Sequence, residues 1–159
     1  MANGVFNIAR GKIGYYLDDA MGLVAANSRL VITVFSLVEA DDTLNNYASL
    51  SAIEAGANSE ADATNYARIE IAAAGVTYSV DDTGNTAKVV IDADQTWTSV
   101  ANDDSNGSWA KLVVCWDGDN AAGTDANIVP LTYHDFVVTP NGGNITADFD
   151  QTNGIWGSS

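Results

Sequence analysis

Apolar positions along this chain fall into short runs separated by Gly, Asp and Asn, and most of the runs have the length of a strand. Two of them, residues 112–116 and 128–138, flank the polar loop DGDNAAGTDAN and read as strands leaving and re-entering a buried sheet. The segment that holds them, residues 109–140, is the one around which the rest of the chain is organised. A further run, LVITVFSLV at 30–38, is continuous, β-branched and aromatic, which predicts a strand covered on both faces. Residues 65–71 instead alternate, Tyr66, Arg68 and Glu70 against Ala67, Ile69 and Ile71, the pattern of a half-exposed strand. VTYSV (76–80) and AKVVID (87–92) flank DDTGNT, whose Gly84 and Asn85 can take positive φ, and predict a hairpin. Residues 95–100 bring Trp97 down onto the core on a strand or loop. DDSNGS (103–108) is a turn, and NGGN turns the chain into a last strand over 145–149.

One helix is predicted, near 42–55. Asp41 or Asp42 would cap it, Gly56 would end it in a left-handed conformation, and Leu44, Tyr47, Leu50 or Ser51, and Ile53 would form its apolar face. The first 29 residues mix Val5, Phe6, Ile8, Ile13 and Tyr15 with Gly4, Gly11, Gly14 and Gly22. Each glycine costs about 1 kcal/mol against Ala inside a helix, so this stretch reads as an extended arm with at most a short helical turn near 15–21. Such an arm packs on its own domain or on a neighbour. Strand signals about every ten residues with one interposed helix predict a mainly β fold, a β-sandwich or jelly-roll-like domain. Its expected divisions are an arm at 1–29, a β domain at 30–150 and a tail at 151–159.

Charge sharpens this division. The chain carries six basic and 21 acidic residues, a net of −15. Residues 1–29 hold three basic and two acidic residues, so the rest carries a net of −16. A body of that sign repels phosphate backbones, and nucleic-acid binding through counterion release is not expected. Solubility alone accounts for such a charge; the sharper reading is an acidic body facing solvent with a near-neutral arm touching a partner. The N-terminus shows no basic region followed by a long apolar run, so no signal peptide is expected and synthesis in a cytoplasm is. No apolar stretch approaches the roughly 18 residues that span a bilayer.

Candidate chemistry is sparse. The single Cys115 could act only with the single His134, but it sits between Val114 and Trp116, where a thiol is normally an inert buried hydrophobe. No G-x-S-x-G elbow presents a serine, and zinc would need more His or Cys than the chain holds. Pairs of carboxylates are uninformative where acids are this abundant. No cofactor is expected. The weak metal candidate is calcium at Asp117, Asp119 and Asp125 with Asn120, an oxygen-rich loop without EF-hand spacing, and Asp, Asn and Gly are also what turns are made of. Trp109 and Trp116 flank an apolar strand and belong in or beside the core, whereas Trp97 and Trp156 are the better candidates for exposed, sugar-stacking contacts.

Several stretches together carry a resemblance: NGVFNIARGKIGYY near the start, DQTWTSV at 94–100, KLVVCWD at 111–117 and GTDANIVPLTYHDFVVTPNGGNITA at 123–147. They resemble small virion structural proteins of tailed bacteriophages, especially phages of actinobacteria. The likeness spans most of the chain in order and departs at the C-terminal DQTNGIWGSS. It implies a copy-rich capsid component, a decoration or minor capsid protein on the capsid surface of the virion. Such a protein acts by binding the major capsid protein as a homo-oligomer, not by catalysis. It implies no site residues, because none of these motifs is catalytic. The candidate interface is then the arm and tail, Val5, Phe6, Ile8, Arg10, Tyr15 and Trp156. The alternatives are a tail-associated structural protein and a carbohydrate-binding host-adhesion module.

Overall fold

The computed structural model describes residues 3–22, 27–81, 86–121 and 124–158. The fold is mainly β, as the apolar runs predict. Its centre is a six-stranded antiparallel sheet. Strands β2 (Arg29–Leu37) and β8 (Trp109–Asp117) pair over seven residues, from Arg29 opposite Asp117 to Phe35 opposite Lys111. On the far side of β8 lies β9 (Val129–Val138), and β1 (Gly4–Val5) adds to β9 with Gly4 opposite Tyr133. The other edge of β2 is shared by β3 (Ser59–Glu60) and β4 (Ile69–Ile71). Between them the backbone of Val34 is taken up by other groups: its N–H donates to the Tyr66 hydroxyl at 2.9 Å and its carbonyl accepts from Ala61 at 2.8 Å.

Period-two alternation splits the side chains of this sheet between two cores. Leu30, Ile32 and Val34 of β2, Leu112 and Val114 of β8 and Leu131 of β9 face one way. Val31, Phe35, Val113, Cys115 and Tyr133 face the other. Both faces of β2 and β8 are buried, which is why these two strands read as near-continuous apolar runs, whereas β9 is buried on both faces only through Tyr133. A register shift between Trp109 and Lys111 returns Trp109 to the first core, where it meets Trp97 edge-on, with ring centroids 5.4 Å apart.

The first core is closed by two small sheets and a helix. β5 (Val76–Asp81), β6 (Thr86–Ile91) and β11 (Trp156–Ser158) form one sheet in the order β11-β6-β5, and β7 (Gln95–Trp97) pairs with β10 (Ile145–Ala147) in the other. The expected hairpin is the β5–β6 pair. Gly84 and Asn85 of its turn lie outside the described residues. The helix α1 (Ile13–Ala20) is a full eight residues, longer than the short turn expected from the glycine count. Gly11 and Gly22 stand just beyond its two ends with φ of +79° and +76°, so only Gly14 is paid for inside it. Ile13, Tyr16, Leu17 and Ala20 supply the buried stripe.

The second core is closed by Phe6 and by two short helices, α2 (Asp41–Leu44) and α3 (Leu50–Ala55), where one helix near 42–55 was expected. The break has local causes. The Asn46 amide donates to the Asp42 carbonyl at 2.6 Å, and extended Ser49 caps α3 by accepting from the Ala52 N–H at 3.3 Å. Neither Asp41 nor Asp42 caps α2 through its side chain; the N-cap position belongs to Ala40. Gly56 has φ −79°, so it is not a left-handed terminator; a β-carbon there would collide with the Tyr47 hydroxyl. The apolar positions still sort as expected, with Leu44, Leu50 and Ile53 all fully buried.

The expected strand over 65–71 is shorter than its alternation. Asn65 has φ +70° and turns the chain, and only Ile69–Ile71 pair with β2. The arm packs on its own domain and the tail adds β11 to β6, so both ends are built into the sheets. No helix among the described residues is long and apolar enough to cross a membrane. Phe6 is 0% exposed and stands edge-on to Tyr133 at 5.3 Å, so we expect Phe6→Ala to cost about 3–5 kcal/mol in urea unfolding. Unchanged stability would mean that the arm is detachable.

Candidate functional site

Two polar clusters and one surface depression stand out when the structure is searched for chemistry. In the first cluster, Arg68 precedes β4 and meets three carboxylates: Asp125 at 2.5 Å, Glu54 of α3 at 2.6 Å and Glu60 of β3 at 2.6 Å. Glu60 also accepts from the Tyr66 and Thr33 hydroxyls, each at 2.9 Å. One guanidinium cannot neutralise three acids, and their titration diverges accordingly. Burial and the neighbouring Asp125 charge push Glu54 up to about 7, against the pull of Arg68. Glu60 is held below its ordinary range because the Arg68 and hydroxyl contacts outweigh its burial, and the Arg68 hydrogen bond does the same for Asp125.

The second cluster lies between sheet and helix. Lys111 is fully buried on β8, with Asp135 of β9 at 2.6 Å, Asp41 of α2 at 3.1 Å and the Tyr133 ring beneath its ammonium at 5.1 Å. Burial alone would lower this lysine, but its two carboxylate partners outweigh that and hold it charged. Elsewhere Asp19 of α1, 2% exposed, accepts from the Ser28 hydroxyl and from the Trp116 indole, the latter at 2.8 Å. These groups fasten elements to one another. Each carboxylate is engaged by a neighbour that a substrate would have to displace.

The residues singled out for chemistry do not converge. Cys115 sits opposite Pro130 in the second core, and its burial pushes the thiol up, away from thiolate. His134 sits opposite Leu112, and its ring bonds Thr132 at 3.0 Å. Burial and the Lys111 charge lower it, so it is neutral at neutral pH. The calcium candidates face different partners. Asp117 is buried and accepts from the Asp119 N–H at 3.1 Å, Asp119 accepts from Ala121 at 3.2 Å, and Asp125 belongs to Arg68. Asn120 donates to Glu70 at 2.8 Å, and no group of three ligating side chains occurs among the described residues. Trp97 is not an exposed platform. It is 4% exposed and donates to the Ala67 carbonyl at 2.7 Å, because β7 closes the first core.

The arm residues divide. Phe6 is wholly internal, which removes it as a surface anchor, and Val5 and Ile8 are half-buried against the two cores. Arg10 is exposed, and Tyr15 is 56% exposed on the outer side of α1. Beside them Val5, Arg10, Gly11, Ile13 and Gly14 line a shallow depression of about 430 Å³. The backbone of Trp156 pairs with Val89 in β11, and its side chain lies outside the described residues. No protein-family model matches this chain, and neither a curated protein nor a solved structure matches it significantly. The site must therefore be argued from geometry.

Sequence reasoning missed Arg68 and Lys111 as hubs. The available signal was their scarcity, six bases among 21 acids, together with the position of Lys111 inside an apolar strand. The raised Glu54 yields a signed expectation. It favours the folded state below its ordinary value of 4.5, and that contribution is lost as pH rises through about 7. Relative to wild type, Glu54→Gln should therefore gain stability between pH 5 and pH 8 in urea melts. A constant difference across that window would contradict the raised ionisation.

Proposed function

We propose that this protein is a virion structural protein that decorates the outside of a tailed-phage capsid, binding the major capsid protein and stabilising the lattice as a homo-oligomer. The observation that carries the reading is the segregation of charge. The body carries −16, while the N-terminal segment supplies exposed Arg10 and Lys12 beside Tyr15 and the shallow depression next to them. A strongly acidic surface suits a protein held outside a DNA-filled shell, since the same surface would be repelled by packaged phosphate. The resemblance of the chain to small phage virion proteins supports the same reading.

The anchoring surface in this reading is narrower than the arm as a whole. Phe6 and the buried stripe of α1 are spent on the protein's own core, so the contact with the capsid falls to Arg10, Lys12 and Tyr15. Aromatic and arginine side chains are the usual energetic centres of such contacts. Rotational symmetry in a capsid lattice presents repeated sites, which is the reason to propose an oligomer. The protein acts by binding, and its synthesis belongs in the host cytoplasm before assembly.

Virion occupancy tests this directly. Particles assembled with the double variant Arg10→Glu, Tyr15→Ser should lose most of the protein relative to wild type, while the variant remains folded by circular dichroism. Wild-type particles should carry hundreds of copies by quantitative mass spectrometry. Undiminished occupancy would remove the anchor. A handful of copies per particle would move the protein to a vertex or to the tail.

A further inference from the structure

A second surface, remote in chemistry from the basic N-terminal one, lies beyond Gly4, where β1 begins. Strand β9 continues to Val138, beyond Tyr133 where Gly4 pairs with it, and among the described residues no strand takes up that side of β9 after the pairing stops. Asn3 reaches one step further and accepts the Asp135 N–H at 3.0 Å. Past it, Val137 is 69% exposed, the most exposed large apolar side chain among the described residues. An unpaired strand edge is a template for another extended chain.

Beside this edge a cleft of about 350 Å³ opens between β9 and the segment that follows β10. Its floor is apolar, from Leu112, Phe136 and Phe149, and its walls bear Asp135, Asp148 and Asp150. The carboxylates differ in what they already hold. Asp135 is paired with Lys111, and Asp150 caps its own turn by accepting from the N–H groups of Thr152 and Asn153 at 2.9 and 2.8 Å, with Lys88 near enough to lower it further. Asp148 is exposed and has no hydrogen bond or ion pair among the described residues. The edge asks for extended backbone, the floor for an apolar side chain, and Asp148 for a cation beside it.

The geometry points to a docking site for a basic, extended polypeptide segment of a partner protein, which adds to the β9 edge at residues 136–138 and sets an apolar side chain in the cleft between lysines or arginines. Such strand addition takes affinity from main-chain hydrogen bonds and selectivity from alternate side chains. Charge complementarity chooses the sign of the segment: an acidic one would meet three carboxylates and a chain of net −15. The inference does not depend on the virion reading, since it rests on a different surface and requires no capsid.

The test uses the full chain and three labelled, end-capped decapeptides: alternating Lys and Val, alternating Glu and Val, and alternating Lys and Pro. The Lys–Pro peptide keeps the charge but cannot pair as a strand. Fluorescence anisotropy at physiological salt, where diffuse attraction is screened beyond about 8 Å, should show binding of the Lys–Val peptide alone. Asp148→Lys and Val137→Pro should each weaken it roughly five- to tenfold, and Asp42→Lys, an exposed charge on α2, should leave it unchanged. Equal binding of the Lys–Pro peptide, or equal weakening by Asp42→Lys, would reduce the effect to bulk charge and overturn the site. So would failure of the Lys–Val peptide to bind. Because Val137→Pro alters a strand, circular dichroism must show it folded; if it is not, Asp148→Lys and the Lys–Pro peptide decide the question.

Discussion

The structure depends on one constraint: β2 and β8 are buried on both faces, so neither face of the central sheet can be left to solvent. Their pairing over seven residues aligns two alternating apolar sets, one for each core. A sheet of this kind is stable only when covered twice. On one side the cover is α1 with the two small sheets, and on the other it is Phe6 with α2 and α3. The arm contributes to both covers, because Phe6 enters one core while Ala9 and α1 enter the other. That explains why a segment with so many glycines is ordered: its apolar residues have two holes to fill, and Gly11 and Gly22 fall at the bends on either side of α1.

Polar groups then fix how the covers sit. Lys111 binds α2 to the sheet through Asp41 and Asp135, Arg68 binds α3 to β3 and to the 125–128 turn, and Asp19 binds α1 to the end of β8 through Trp116. Two backbone bonds reinforce the Arg68 junction, from Leu50 to the Ile128 carbonyl and from Ser51 to that of Asp125. These satisfy first-turn N–H groups of α3 that the helix itself leaves open. A chain with few bases thus places two of them at internal junctions, where desolvation makes each contact more directional than at the surface. The excess acid remains outside, and that asymmetry gives the two surfaces their different characters.

The sequence made the sheet legible and left its fittings obscure. Residues 30–38 and 112–116 are unambiguous because a two-faced strand writes itself as an unbroken apolar run, and residues 128–138 are legible from their first half, since β9 is buried on both faces only as far as Tyr133. The 42–55 helix was half legible: its apolar spacing places Leu44, Leu50 and Ile53 correctly, but side-chain competition at Asn46 and Ser49 is not visible in periodicity. Trp97 reads both as packing down and as a candidate exposed contact, because its neighbours are polar and local polarity cannot report that a three-residue strand closes a core; the first reading holds. The hubs at Arg68 and Lys111 assemble partners distant in the chain, such as Glu54, Asp125 and Asp135, so no local motif announces them. The cleft beside Asp148 gathers residues as distant as Asn3, Leu112, Phe136 and Ile155, so it is a property of topology alone.

The position of β1 also sets an order of events. Gly4 and Val5 are synthesised well over a hundred residues before their partners, Tyr133 and Thr132. A ribosome making this chain therefore holds an apolar arm without its strand, and Phe6 without the Tyr133 side of its cavity, until β9 is made. The long loop closed by that pairing belongs to the slow class of contacts. The nascent arm is thus the exposed, association-prone part of the unfinished protein, and it is withdrawn from solvent only when β9 arrives.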